Sequence, residues 1–354
     1  MVADAAIRTA FERQAGACET LGSPFNARLC RLAADRLEGT GEIAALVSGW
    51  PPERAVADAL ALRFCGALHA LKRQGYRPLV DCYPPHGVSD DALWQGAEQA
   101  MAEKADFIAT RMQSAPQTNE VRRSAALFPA FALIAERFGG MPLVLSEIGA
   151  SAGLNLMWDC YGYRFDNALY QPHNGDAPFV IAPDWTGPLP PQAEIAVSER
   201  AGCDLNPLEA DSADDCERLL SYVWPDQADR LERTEKALAL ARQNRLHIDR
   251  ADAVDWLAHR LATRHDGKVH VIYHTIAWQY LPDDAQKQGL QLIAEAGARA
   301  DRQAPLCHLA MEADDEGPGA GLSLTIWPTG ETHSVGRADF HGRWVDWRGL
   351  PSVQ

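Results

Sequence analysis

An acid followed by a glycine-containing bend is the most chemically loaded stretch of this sequence. Leu145-Ser146-Glu147-Ile148-Gly149-Ala150-Ser151-Ala152-Gly153-Leu154-Asn155 passes from an apolar segment into a turn. Glycine has no Cβ, so Gly149 and Gly153 let main chain close in on a ligand. A helix opening at Ser151 adds unpaired backbone N–H groups. A carboxylate at Glu147 suits a cationic ligand; its plainer role is local pairing at a strand end. A second constellation follows the apolar run 268–276, where His274, Trp278, Gln279 and Tyr280 stand at or just past its end. Ligands in open α/β sheets bind beyond the carboxyl ends of strands, so these four are candidates to face a substrate. His274 is the candidate base, because imidazole titrates near neutrality. Its alternative is a strand-end histidine hydrogen-bonded in the core, and Trp278 and Tyr280 equally read as core aromatics. A third polar group, Asn119, Glu120 and Arg123, opens the helix that precedes Glu147. It either reaches the same site or caps that helix through Thr118 or Asn119.

The elements that must position these residues change character along the chain. Residues 1–138 read as helices, with Ser23-Pro24 as an N-cap and first-turn proline. The segment 78–82 is the one candidate strand there, and 90–112 reads as one helix. From Met141 the pattern alternates. Strands are expected at 142–148, 194–198, 245–248, 268–276 and 306–311, and helices at 151–160, 212–223, 226–243, 252–265 and 283–299. Trp224-Pro225-Asp226-Gln227 reads as a helix break and restart, with Asp226 as cap. The segments 322–327, 332–335 and 343–347 follow as strands alone. Alternating units imply a parallel sheet covered by helices, and the terminal strands imply an antiparallel edge. The expected architecture is an all-α N-terminal domain over 1–138, then an α/β domain over 139–354. A proline-rich insertion is expected at about 163–194.

Composition excludes several classes. The chain has 354 residues and a net charge of −15, nearly all of it carried beyond residue 140. Such acidity suits no general nucleic-acid binder, because phosphate contacts need clustered cations. No apolar run approaches the ~20 residues of a membrane span, and the N-terminus lacks a signal-peptide core. A cytoplasmic protein is expected, with no nucleic-acid or membrane partner. The eight cysteines form no CxxC pair, so reduced thiols are expected and a metal site is not.

The bend matches one glycine position in three of the dinucleotide fingerprint G-x-G-x-x-G. It resembles more closely the motif of class I S-adenosylmethionine-dependent methyltransferases, an acid and then glycines at spacings two, four and six. Glu147, Gly149 and Gly153 match that motif, and Ser151 departs from it. The resemblance implies a Rossmann-like, seven-stranded sheet over the C-terminal part and S-adenosylmethionine as cofactor. It implies contacts from Glu147, Gly149, Ala150, Ser151, Gly153 and Asn155, with Glu147 near the methionine amine. It also implies a ribose-binding acid after the second strand, here Glu199 with Asp204 as rival. An adenine-side acid after the third is Asp252, which equally suits a helix N-cap. The amine methylators' Asn-Pro-Pro-Tyr is absent, so the implied acceptor is a small molecule or protein. The alternative is a non-catalytic protein that keeps the fold and a nucleotide or metabolite pocket. A nicotinamide oxidoreductase is disfavoured by the glycine count. Nearly the whole chain also resembles a bacterial family of uncharacterised proteins. That likeness rests on Gln117–Arg123, Glu147–Asn155, Val223–Gln227, Tyr273–Tyr280 and His341–Trp344.

Overall fold

A computed structural model describes residues 5–37, 41–172 and 175–351. The helices are α1 (Ala5–Thr20), α2 (Pro24–Arg36), α3 (Glu42–Ser48), α4 (Leu60–Arg73), α5 (Arg77–Val80), α6 (Asp90–Glu103), α7 (Ala105–Met112), α8 (Ser124–Arg137), α9 (Ala213–Ser221), α10 (Ala228–Gln243), α11 (Ala253–Arg260) and α12 (Asp283–Ala298). The strands are β1 (Leu143–Ile148), β2 (Gly162–Phe165), β3 (Ala168–Tyr170), β4 (Val180–Ile181), β5 (Asp184–Thr186), β6 (Val197–Asp204), β7 (Asp249–Arg250), β8 (Val269–Thr275), β9 (Leu306–Ala313), β10 (Ala320–Trp327), β11 (Glu331–Ala338) and β12 (Trp344–Trp347).

Two compact units divide the chain, residues 1–118 with 213–235, and residues 119–212 with 236–354. The first carries α1 to α7 and α9. Its apolar centre includes Phe11, Leu29, Phe64, Leu68 and Tyr83, all buried. Asp226 lies in this unit and serves α2: its carboxylate accepts from Ser23 Oγ at 2.6 Å and from Phe25 N–H at 2.8 Å. Ser23 in turn caps the helix through Asn26 N–H. The 78–82 segment expected as a strand forms the short helix α5, because Pro78 stands in a first helical turn, where proline is at home. The single helix expected over 90–112 breaks at Lys104, whose φ of −129° leaves the helical region.

The second unit carries a nine-stranded, mostly parallel sheet in the order β5-β12-β11-β10-β9-β8-β1-β6-β7. From β7 to β9 all pairings are parallel, and β9 to β12 are antiparallel neighbours. The order β7-β6-β1-β8-β9 is the 3-2-1-4-5 of a Rossmann-like sheet, whose switch point falls between β1 and β8. The expected boundary at 138/139 differs from the observed one at 118/119. Helix α8 counts with the sheet, and 213–235 counts with the helical unit. The region expected as an insertion folds as the small sheet β3-β2-β4 plus β5, which adds to the outer edge beside β12.

Replacing Asp226 by Ala removes two charge-assisted bonds from the start of α2. The unit is expected to lose about 1–3 kcal/mol. Hydrogen exchange at the Phe25 amide should accelerate, and an unchanged exchange rate would contradict the assignment.

Candidate functional site

The carboxyl end of β1 delivers Glu147 into the interior. The strand is buried along its whole length. Its register with β8 pairs Glu147 with Tyr273 and Ile148 with His274. Side chains alternate across a strand, so each pair shares a face and the two pairs lie on opposite faces. Glu147 faces α8 and the 3-10 segment Leu154–Cys160, where Phe131 stacks on Trp158 at 4.1 Å and meets Tyr273 edge-on at 5.4 Å. Glu147 is 1% exposed. Tyr273 Oη lies 3.3 Å from Glu147 Oε2 and 3.3 Å from the Asn155 carbonyl, so its single proton is shared between two acceptors. Burial pushes the Glu147 carboxyl well above the ordinary carboxylate range. The Tyr273 bond and the Arg123 charge oppose that rise, and the Asp204 charge adds to it.

The bend itself is a closed turn. Gly149, Ser151 and Gly153 have φ of 68°, 55° and 70°, the left-handed region that favours glycine. Ala150 N–H donates to the Cys203 carbonyl (3.0 Å) and Gly153 N–H to the Ala150 carbonyl (2.7 Å). Ser151 N–H donates to Asp204 (2.9 Å) and Leu154 N–H to Asn119 Oδ1 (2.9 Å). The α-helix expected at 151–160 is instead the 3-10 segment, and four of the N–H groups near its start already have acceptors. The glycines also serve packing. A Cβ on Gly149 would come within 2.5 Å of Ala277 Cβ, and one on Gly153 within 2.6 Å of Ile248 and Leu246. What the turn leaves open is side-chain capacity. Ser151 Oγ and Asn155 Oδ1 are buried and have no partner among the described residues.

The segment before α8 reaches this turn. Asn119 holds Leu154, and the Glu120 carbonyl accepts from Asn155 Nδ2 at 3.4 Å. Arg123 donates to the Phe340 and Thr275 carbonyls at 2.8 and 3.2 Å, beside the end of β8. Neither Thr118 nor Asn119 caps α8, which opens at Ser124 after a 3-10 turn.

Glu199 stands elsewhere. It pairs with Val144 near the amino end of β6, and its carboxylate binds Arg260 at 2.7 Å. The strand expected at 194–198 runs from Val197 to Asp204, so Asp204, the rival acid, occupies the carboxyl end. It holds Ser151 and Asn206 by their N–H groups at 2.9 and 2.8 Å. Asp252 follows β7 and caps α11, accepting from Val254 and Asp255 N–H.

His274 belongs to a different constellation on the opposite face from Glu147. Its Nδ1 is 2.7 Å from Glu312 Oε1, its Nε2 is 3.0 Å from His308 Nε2, and Trp278 stacks on its ring at 4.8 Å. Glu312 also accepts from Ala277 and Trp278 N–H at 3.0 Å each. These partners hold the Glu312 carboxylate below its ordinary range against the opposing effect of burial, and burial holds His308 down at about 3. Trp278 is buried within the apolar cluster that contains Leu257 and Ile293. Gln279 bonds Ala313 N–H at 3.4 Å, and Tyr280 is 74% exposed. One residue of offset in register puts Glu147 and His274 on opposite faces of the sheet. Sequence reasoning missed Tyr273, His308 and Glu312. An acid directly after the apolar run 306–311 was the available signal for Glu312, as it was for Glu147.

These features define a Rossmann-like α/β sheet with a buried acid at its switch point. The chain belongs to the family described as "Uncharacterized protein conserved in bacteria (DUF2332)", whose model matches residues 8–347. Comparison with curated proteins and with solved structures gave no match. Among the described residues, no helix is long and apolar enough to cross a membrane.

A carboxyl raised by burial keeps its proton in the folded state after the unfolded chain has lost it. Stability therefore falls as pH rises above the ordinary carboxylate range toward the raised folded value. Glu147→Gln is expected to match the native protein near pH 4 and to exceed it increasingly toward pH 8. Parallel stability curves across that range would contradict the buried, uncompensated carboxyl.

Proposed function

We propose that the sheet unit binds S-adenosylmethionine at the β1–β8 switch point and is a class I methyltransferase-like domain of a cytoplasmic protein. The observation that carries this reading is Glu147, a buried carboxyl with no cation in direct hydrogen-bonding contact among the described residues, together with Ser151 Oγ and Asn155 Oδ1, which have no partner among them. Such groups are costly unless something completes them. A ligand with an ammonium group would convert Glu147 to its carboxylate and stabilise it. The turn N–H groups already donated within the protein favour a ligand without phosphates there, which separates this cofactor from a dinucleotide. In this reading Glu147, Ser151 and Asn155 hold the amino-acid end, and Asp204 replaces Glu199 as the ribose acid. The bound cofactor would supply a methyl carbon activated by a sulfonium. The protein's part is then to align a small-molecule or protein acceptor and exclude water. The sheet has nine strands where that family's core has seven.

A second reading, a non-catalytic metabolite-binding protein, is favoured by one specific observation. His274, the expected base, lies on the opposite face from Glu147, and both its ring nitrogens are engaged by Glu312 and His308.

Titration calorimetry with S-adenosylhomocysteine, adenosine and NAD tests the proposal. S-adenosylhomocysteine is expected to bind, more tightly as pH rises, because binding releases the Glu147 proton. Glu147→Gln should weaken it at least tenfold, about 1.4 kcal/mol, and leave adenosine unaffected. Absence of S-adenosylhomocysteine binding, or an equal loss for adenosine, would sink it. Binding without transfer to any acceptor would favour the second reading.

A further inference from the structure

The opposite end of the same sheet holds a separate polar constellation. His270, near the amino end of β8, pairs in register with Leu306 at the start of β9. Between these strand ends, the chain after α11 and the end of α12 lies a cavity of about 230 Å³. Leu261 and Leu306 form part of its apolar lining, and Arg264, His265, His270 and Arg299 supply the polar part.

The hydrogen-bond arithmetic leaves donors for a ligand. Ser146 Oγ accepts from Arg260 Nε at 3.2 Å and lies 2.9 Å from His270 Nε2. Arginine can only donate, so the hydroxyl proton is free to go to His270 Nε2, in the tautomer that carries the ring proton on Nδ1. That Nδ1 has no partner among the described residues, although His270 is only 5% exposed. His265 meets this ring edge-on at 4.8 Å, and its Nε2 is likewise buried without a partner among the described residues. Burial lowers both imidazoles, His270 to about 3, so near neutral pH both rings are uncharged, each with one N–H to donate and one nitrogen to accept.

The charges are unequal. Arg264 is paired with Asp266 and Asp301, and Arg260 with Glu199. Arg299 has no carboxylate partner among the described residues; the one hydrogen bond of its guanidinium among them is a 3.5 Å contact to the Leu261 carbonyl. Arg299 is thus the guanidinium at the cavity that no carboxylate answers among the described residues, while Arg264 answers two.

We infer that this cavity binds a small monocarboxylate with a short aliphatic body. The carboxylate meets the Arg299 guanidinium and the imidazole N–H groups, and the body lies against Leu261 and Leu306. Guanidinium matches a carboxylate by charge and by its planar fork. The site is built from residues other than those of the switch point and does not depend on the cofactor proposal.

Thermal shift and saturation-transfer NMR on the full chain test it, with butyrate, its neutral isostere butyramide, and inorganic phosphate as probes. Butyrate is expected to raise Tm in a dose-dependent way and to show saturation transfer, and butyramide to do neither. Arg299→Gln, at an exposed position, should weaken the butyrate response at least tenfold. Arg264→Gln should retain the response, because that guanidinium is already paired. Equal responses to butyrate and butyramide, an unchanged response in Arg299→Gln, or a response to phosphate alone would each overturn the assignment. S-adenosylhomocysteine binding in Arg299→Gln, measured in parallel, should be unchanged.

Discussion

A carboxyl that the fold buries with no cation hydrogen-bonded to it among the described residues is the constraint around which the sheet unit is arranged. Taking a carboxylate out of water costs several kcal/mol unless a cation or several donors replace the solvent. Glu147 has one shared hydroxyl from Tyr273 and the more distant charge of Arg123. The protein meets this cost by favouring the protonated acid. The position has a structural cause. β1 is the middle strand of the parallel part β7-β6-β1-β8-β9, paired on both sides and buried along its whole length, so a side chain on it is buried. A polar residue at its carboxyl end sits where an open parallel sheet accepts ligands.

The same pleat separates the chemistry. Glu147 with Tyr273 faces the aromatic layer of Phe131 and Trp158, and His274 with Glu312 and His308 faces the layer of Trp256, Leu257 and Ile293. Glu312 orients His274 as a buried carboxylate orients imidazole in catalytic dyads, but its additional bonds to Ala277 and Trp278 N–H also fix the chain leaving β8. That chain in turn places Ala277 against Gly149. Glycine at 149 is explained by this packing as well as by its positive φ.

Much of the sheet was legible in the residues because burial writes itself as apolar runs. β1, β8 and β9 are buried almost throughout and stood out, and the alternation of β10 marked the antiparallel edge. β6 did not stand out at its true length. Ser198, Glu199 and Arg200 lie on it, and its extent is set by pairing with β1, a tertiary effect that local pattern does not carry. That shift moved the strand's terminal acid from Glu199 to Asp204. The turn after β1 was legible as a turn but not as a 3-10 segment. Its course depends on Asn119 capturing Leu154 N–H across 35 residues of sequence. The membership of 213–235 in the helical unit had no local signal, since helices between strands read as ordinary crossovers.

The protonation state of Glu147 tests the account most directly. Infrared difference spectroscopy of the native protein against Glu147→Gln should show the C=O band of one protonated carboxylic acid persisting above the ordinary carboxylate range of pH. Saturation with S-adenosylhomocysteine should convert that band to carboxylate. Loss of that band within the ordinary carboxylate range in the free protein would contradict the account, because burial would then not be raising the Glu147 carboxyl.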